Sequence, residues 1–189
     1  MKHPVRAVRL AVILALASLF FAPFARAEKL DASQWRFTAV FPCQSQLGSQ
    51  QVESQIGLLV VTMYSCADAE DSKYFAAVID YPPGKMPPEN HDNAYAGGVD
   101  AAAKSAKGTI RRVSPYVLGN TTGREYIIDT PEDNTVLRGR MFLVGDRLYQ
   151  MVFGGKAGKE DSKECLDFLD SLTLIGTNQM KPGDSTPSE

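Results

Sequence analysis

Beyond the first 27 residues, the side chains able to do acid–base or metal chemistry are few: carboxylates, one histidine and three cysteines. His91 is the only histidine beyond the first 27 residues, and no nucleophile motif lies beside it. We therefore interpret it as a solvated loop residue and not as part of a Ser–His–Asp triad. Zinc sites usually draw on several His or Cys side chains. The sequence predicts no catalytic residue, no metal site and no cofactor.

Two acidic turns, residues 68–71 and 129–133, carry carboxylate oxygens of the kind that bind calcium. Neither has the spacing of a known calcium loop. Asp129 together with Glu125 or Asp133 is the one arrangement that could support hydrolysis, because two carboxylates can act as acid and base when their environments differ. A cleft holding two converging carboxylates would favour this hydrolase alternative.

Arginines and aromatic residues alternate with aliphatic ones between residues 123 and 153, in three strand-like runs joined by two turns. Gly145-Asp146 has glycine first, which predicts a two-residue type II′ hairpin. Because side chains alternate across a strand, one face is almost purely apolar: Leu137, Gly139, Met141, Leu143, Leu148, Gln150 and Val152. The other is mixed: Arg138, Arg140, Phe142, Val144, Arg147, Tyr149, Met151 and Phe153.

The mixed face has two interpretations. In the first, its aromatic residues lie under a helix and its arginines extend to the edge or pair with carboxylates. In the second, Arg138, Arg140 and Tyr149 bind an acidic or carboxylate-bearing partner, since arginine and aromatics are enriched at interface hot spots. We favour the first, because large aromatic side chains are seldom exposed in a row.

Residues 1–27 have the pattern of a cleaved export signal: basic residues, a short apolar run over 10–24, and Ala-Arg-Ala at the cleavage site. The run is short for a membrane span of ~20 residues, and an uncleaved anchor is the alternative. We expect a single domain over 28–175, a disordered tail over 176–189, and a periplasmic or secreted location.

The charge balance bears on partners. The predicted leader holds four of the 20 basic residues and none of the 22 acidic ones, which leaves a net charge of −6 beyond it. This balance disfavours nucleic acid, which selects a basic footprint, and anionic lipid. The expected partner is a protein or a component of the cell envelope.

Cys43 and Cys66 each end a strand-like run, and an oxidising compartment permits a disulfide between them. Such a bridge would contribute roughly 3 kcal/mol in the chain-entropy model. Cys165 lies on the apolar side of a predicted helix and is interpreted as a buried thiol. Pairing of Cys165 with either of the other two is the open alternative.

The remaining pattern predicts short-spaced antiparallel strands and two helices. A polar lead-in covers 28–33, and a loop or frayed hairpin covers 44–55. The predicted strands are 35–41, 56–65, 74–81 and 109–118, and the predicted helices are 90–107 and 162–172. In the first helix the apolar residues with helical spacing are Tyr95, Val99, Ala102 or Ala103, and Ala106. Asp161 and Glu164 are expected to form a capping box for the second helix.

Four motifs resemble a known family: Phe-Thr-Ala-Val-Phe-Pro from Phe37, Gly-Arg-Glu-Tyr-Ile-Ile from Gly123, Arg-Gly-Arg-Met-Phe-Leu-Val-Gly-Asp-Arg-Leu-Tyr-Gln-Met from Arg138, and Phe-Leu-Asp-Ser-Leu-Thr-Leu from Phe168. They look like the PsbP-like α/β sandwich superfamily, in its exported bacterial members, over 35–174. The resemblance implies an α+β fold in which an antiparallel sheet of about six to seven strands packs with two main helices, as an α/β/α sandwich.

Members of this superfamily bind partners and are not enzymes. The resemblance therefore implies an exported, soluble, non-enzymatic binding or accessory protein of the bacterial envelope, and no catalytic residue carries over. A carboxylate-based periplasmic hydrolase and a carrier of a small apolar ligand are the alternatives. A closed, ligand-sized apolar cavity would favour the carrier.

Overall fold

The computed structural model describes residues 27–54 and 57–176, and within these ranges it has ten strands and two α-helices. The strands are β1 (Glu28–Ala32), β2 (Phe37–Phe41), β3 (Gln46–Ser54), β4 (Gly57–Ala67), β5 (Lys73–Asp80), β6 (Thr109–Leu118), β7 (Thr121–Thr130), β8 (Thr135–Val144), β9 (Arg147–Lys156) and β10 (Thr173–Leu174). The helices are α1 (His91–Ser105) and α2 (Lys163–Asp170), and short 3₁₀ turns occupy Ser33–Trp35 and Pro88–Asn90. The predicted leader, except Ala27, and the predicted tail, except Gly176, lie outside the described residues.

The main sheet has seven antiparallel strands in the order β3-β4-β5-β9-β8-β7-β6. The predicted hairpin register is confirmed, since Val144 pairs with Arg147 and Phe142 with Tyr149. Gly145 has φ +59°, as the first central residue of a type II′ turn requires. The predicted α+β fold class is confirmed, with the long sheet as its centre.

Alternation along β8 and β9 divides the core into two layers, as predicted. On one side, Met141, Leu143 and Leu148 pack with residues of α1. We call this side of the main sheet the α1 face. On the other side, the α2 face, buried aromatic residues pack with α2 and with the strands of a second sheet. The members of this layer from β8 and β9 are Phe142, Tyr149, Met151 and Phe153.

The second sheet is small and was not predicted. It has the order β1-β2-β10 and is antiparallel throughout. The predicted polar lead-in is wrong here, because residues 28–32 form a strand whose Leu30 and Ala32 are buried. Only two side chains of β1 face inward, so its alternation of apolar and polar residues is too short to identify a strand. Its partner β2 begins five residues after β1 ends.

Residues 46–54 correct a second expectation, the loop or frayed hairpin over 44–55. They form β3, which pairs with β4 in an unbroken register from Gln46↔Ser65 to Ser54↔Gly57. From Gln46 to Gln51 every side chain is exposed. A strand held by backbone ladder bonds with no buried face leaves no apolar alternation to detect.

Helix α1 packs through Tyr95, Val99 and Ala103, which are spaced as the sequence predicted. Its close approach to the sheet depends on Gly98, where an added Cβ would lie 3.1 Å from the Met141 sulfur. None of the helices in the described part of the chain is long and apolar enough to cross a membrane.

Helix α2 begins one residue later than the predicted capping box requires. Its N-cap is Ser162, whose Oγ accepts a hydrogen bond from the Cys165 backbone N–H at 3.3 Å. Asp161 is not the cap and forms an ion pair with Arg138. The predicted box of Asp161 and Glu164 is therefore wrong. Either Ser or Asp can cap a helix, and only the tertiary partner of Asp161 distinguishes them.

Candidate functional site

The three predicted binding residues all lie on the α2 face, Arg138 and Arg140 on β8 and Tyr149 on β9. The side chains of Arg138 and Arg140 are only 9% and 4% exposed. Tyr149 is 4% exposed, and its hydroxyl donates to the Trp35 carbonyl at 3.1 Å. All three therefore have partners within the chain.

The two arginines converge on Glu125, a buried carboxylate of β7. Arg138 Nη2 donates to both Glu125 oxygens, at 2.9 and 3.0 Å, and Arg140 Nε donates to Oε2 at 2.9 Å. Arg112 of the edge strand β6 adds a third guanidinium at 3.1 Å. Register explains the convergence: Glu125 pairs directly with Arg140, while Arg138 lies one step along the same face.

The same two arginines fasten α2 to the sheet. Arg138 Nη1 donates to the Glu160 backbone carbonyl at 3.0 Å and to the Asp161 carboxylate, just before the helix begins. Arg140 Nη1 donates to Asp170 Oδ1 at 2.5 Å, at the last residue of the helix. We call Glu125 and these arginine contacts the arginine cluster. Its geometry holds both ends of one helix.

Tyr116 extends the cluster to the edge strand. The Arg140 guanidinium carbon lies 3.9 Å from the centre of the Tyr116 ring, a cation–π contact. The Tyr116 hydroxyl donates to Asp170 at 3.0 Å. Arg140 is thus enclosed by two carboxylates and one ring. All three of these partners of the Arg140 guanidinium belong to this chain.

Cys165 lies in α2 beside this cluster, with 0% exposure and a free thiol. Burial raises the pKa of the thiol to about 12, although Arg138 and Arg140 act in the opposite direction. The thiol is therefore protonated at neutral pH and is a poor nucleophile. The interpretation of Cys165 as a buried thiol is confirmed.

Cys43 and Cys66 form the predicted disulfide, with a Cα–Cα distance of 5.9 Å. Cys43 lies three residues before β3, and Cys66 lies next to the end of β4. The bridge therefore closes the base of the β3–β4 hairpin. The alternative pairings with Cys165 are wrong, because Cys43 and Cys66 are bonded to each other and Cys165 is a free thiol.

Two of the three carboxylates of the hydrolase alternative, Asp129 and Glu125, are engaged by arginines. Arg111 Nε donates to both oxygens of Asp129, at 3.1 and 2.9 Å, and this hydrogen bonding lowers the pKa of that carboxyl. A general acid needs a raised pKa. Glu125 is surrounded by guanidinium groups, as described above. Asp133 lies in an exposed turn, and no contact brings it to either of the others.

Asp68 stabilises the first acidic turn, in which it lies. Its carboxylate accepts hydrogen bonds from the backbone N–H groups of Glu70 and Ser72, at 2.8 and 2.9 Å, and from the Tyr74 hydroxyl at 2.9 Å. Within the described ranges, no three His, Cys, Asp or Glu side chains are grouped so that they could hold a metal ion.

An open cleft of about 530 Å³ lies where the β8–β9 turn approaches the end of the small sheet. An ion pair between Arg147 and Asp80 forms part of its wall, with Arg147 Nε 2.5 Å from Asp80 Oδ1. Arg36 and Gln34 add further polar groups to the lining. A cleft with these walls does not suit the small apolar ligand of the carrier alternative, which needs mostly hydrophobic surroundings.

The most distinctive surface is one that the sequence analysis missed. Helix α1 packs on β7, β8 and the start of β9, and it leaves the β4–β5 part of the same face partly open. Seven apolar side chains of β4, β5 and the adjoining part of β9 are half-buried on this face: Leu59, Val61, Met63, Phe75, Ala77, Ile79 and Val152. Two of them, Ile79 and Val152, border the open part and pack against the core layer under α1. We call these seven residues the open apolar face. The runs in β4 and β5 are apolar on both sides, so their pattern did not show which side a helix covers.

Comparison with known proteins identifies the fold. No protein-family model matches the chain, and no curated protein matches it. Among solved structures, it is similar to the solution structure of cyanobacterial PsbP (CyanoP) from Synechocystis sp. PCC 6803, with a TM-score of 0.53 and 7% sequence identity. The similarity covers 85% of this chain and 99% of that one. The chain therefore has a PsbP-like fold, as its motifs led us to expect.

Proposed function

We propose that the protein is an exported, soluble, non-enzymatic binding or accessory protein of the bacterial envelope, and that it binds a protein partner through the open apolar face. The PsbP-like fold supports an accessory role by analogy of architecture alone. The Cys43–Cys66 disulfide supports a location in an oxidising compartment.

The single observation that carries this proposal is that residues 27–54 and 57–176 cover the α1 face incompletely. Contiguous apolar surface on a folded protein marks interaction sites, whereas apolar residues exposed singly are ordinary. Met63 and Phe75 supply the methionine and aromatic character that interfaces favour. Gln50 pairs with Val61 and Gln150 pairs with Ala77 in the strand register. These two polar residues border the open apolar face, as expected at the rim of an interface.

The arginine cluster supports a structural role for Arg138 and Arg140, as in the favoured first interpretation of the mixed face, and not the direct partner contact of the second. A guanidinium that leaves Glu125 to bind a partner would leave a buried carboxylate short of donors, which costs several kcal/mol. Of the three residues, Tyr149 lines the open cleft, but its hydroxyl is already engaged. We therefore assign binding to the opposite face of the sheet.

Photo-crosslinking in the intact envelope tests the proposal. A photoreactive amino acid replaces Met63 in one variant and Phe75 in a second, and mass spectrometry identifies the products. The control replaces Val113, a 47% exposed residue of the far edge strand β6. We expect one shared crosslinked protein from positions 63 and 75 that is absent from position 113. Identical products at all three positions, or none at 63 and 75, would contradict the proposal.

A further inference from the structure

The two edges of the main sheet differ in how they are protected. β6 forms one edge, and it carries Pro115, a register shift between Ile110 and Arg112, and two consecutive arginines. Proline removes a backbone donor, and bulges and charges hinder the addition of a further strand. β6 therefore has several of the devices that prevent edge-to-edge association.

In the described part of the chain β3 forms the other edge, and over most of its length it has none of these protective features. Its nine residues pair with β4 without a register shift. Residues 46–52 include no proline and no charged side chain. A long, regular and uncharged edge strand is a template for pairing with another strand.

Apolar side chains flank this edge where another strand would lie. On the α2 face, Leu47 of β3 is 61% exposed. Further along the same edge, Val60 and Leu58 of β4 pair with Gln51 and Glu53 and are 39% and 53% exposed. An added strand would cover Leu47 directly and reduce the exposure of the other two. Pairing would thus combine backbone hydrogen bonds with burial of apolar area.

We propose that β3 pairs antiparallel with β3 of a second copy of this chain, joining two seven-stranded sheets into one. Charge favours a second copy as the occupant, although each chain is acidic overall. Like charges placed opposite each other destabilise a strand pair, and residues 46–52 bring none. Glu53 lies near one end of β3, so a two-fold axis across the strand keeps the two Glu53 residues at opposite ends. Such an isologous contact is the commonest form of homodimer.

Sedimentation equilibrium on the full chain as purified from the envelope fraction tests this pairing. We expect the wild type to reach twice the chain mass as concentration rises. Leu47→Lys combined with Gln51→Lys places charges on the edge and should weaken association at least tenfold. Val113→Lys combined with Val117→Lys is the matched control on β6, where both positions are exposed, and should associate as the wild type does.

A distance measurement distinguishes this dimer from any other. Spin labels at Gln50 should lie close together across the two-fold axis, because adjacent strands are about 4.8 Å apart. Labels at Val117, on the far edge of each sheet, should be roughly 60 Å apart at that spacing. A wild type that stays monomeric to millimolar concentration, equal dissociation of both lysine pairs, or a long distance at Gln50 would each overturn the proposal. A monomer that captures some other chain at β3 is included in the first of these outcomes.

Discussion

At the scale of single residues, the arginine cluster explains why charged side chains lie on an otherwise apolar face. Alternation along β8 correctly placed Arg138 and Arg140 on the same face as the aromatic residues, and we expected carboxylates as one kind of partner for them. It did not identify those carboxylates. Glu125 comes from β7 and Asp170 from the end of α2, and such contacts depend on register and helix placement, which no local pattern contains.

Removing the central carboxylate should strongly destabilise the fold. We expect Glu125→Gln to lower the free energy of unfolding by about 3–5 kcal/mol, because two buried guanidinium groups lose their shared partner. Asp161→Asn is the control. Its side chain is 77% exposed, and loss of such a pair costs about 1 kcal/mol or less. Urea unfolding measures both, and equal losses would contradict the central role of Glu125.

Cys165 should be chemically silent in the native protein. Its pKa of about 12 means that almost no thiolate is present at pH 8, and its exposure is 0%. We expect no alkylation by iodoacetamide under native conditions and one alkylated thiol per chain after unfolding without reductant. After reduction, all three cysteines should react. Rapid native labelling would show that the thiol is accessible.

The ion pair of Arg111 and Asp129 should make a small pH-dependent contribution to stability. Hydrogen bonding to Arg111 lowers the pKa of Asp129 below its ordinary value of 3.8. A carboxyl with a lowered folded-state pKa stabilises the protein above the unfolded pKa and loses that effect as pH falls through the folded value. Both side chains are more than a third exposed, so we expect less than about 1 kcal/mol. The wild type should exceed Asp129→Asn at pH 7 and match it near pH 2, and an unchanged difference would contradict the assignment.

At the scale of elements, strongly periodic segments were predictable and weakly buried ones were not. The spacing of Tyr95, Val99 and Ala103 identified α1, and the hairpin turn at Gly145 fixed the β8–β9 register. β3 was missed because its side chains from Gln46 to Gln51 are all exposed, and β10 because it has two residues. Their positions depend on neighbouring strands and not on their own side-chain pattern.

The two adjacent glycines of α1 provide a matched pair of substitutions. Alanine favours a helix over glycine by about 1 kcal/mol. A Cβ at Gly97 meets nothing within 4 Å, whereas one at Gly98 lies 3.1 Å from the Met141 sulfur. We expect Gly97→Ala to raise the free energy of unfolding by about 0.5–1 kcal/mol and Gly98→Ala to give clearly less or a loss. Thermal and urea unfolding measure the difference, and equal gains would show that α1 does not approach the sheet as described.

At the scale of the whole molecule, topology was the least predictable property. β5 pairs with β9 although some 70 residues separate them, and β4 stands between β5 and the free edge strand β3. Local turn signals predict only which consecutive strands form hairpins. The choice of which half of the α1 face a helix covers, and hence the open apolar face, follows from this non-local order.

Export predicts a specific mature product. If residues 1–27 are removed as their pattern indicates, the envelope fraction should contain a chain beginning at Glu28. Its intact mass should be lower by two hydrogens than that of the same chain after reduction, because of the Cys43–Cys66 bridge. Intact-mass spectrometry with and without reductant checks both. A cytoplasmic chain that retains Met1 and three thiols would contradict export.

The disulfide also has a consequence for how the chain withstands proteolysis. Cys43 and Cys66 enclose the whole β3–β4 hairpin within one covalent ring. A single peptide-bond cut anywhere between them opens the ring but leaves both halves of the polypeptide joined through sulfur. A nicked molecule would therefore keep its full mass on a non-reducing gel and separate into two fragments only when a reductant is added.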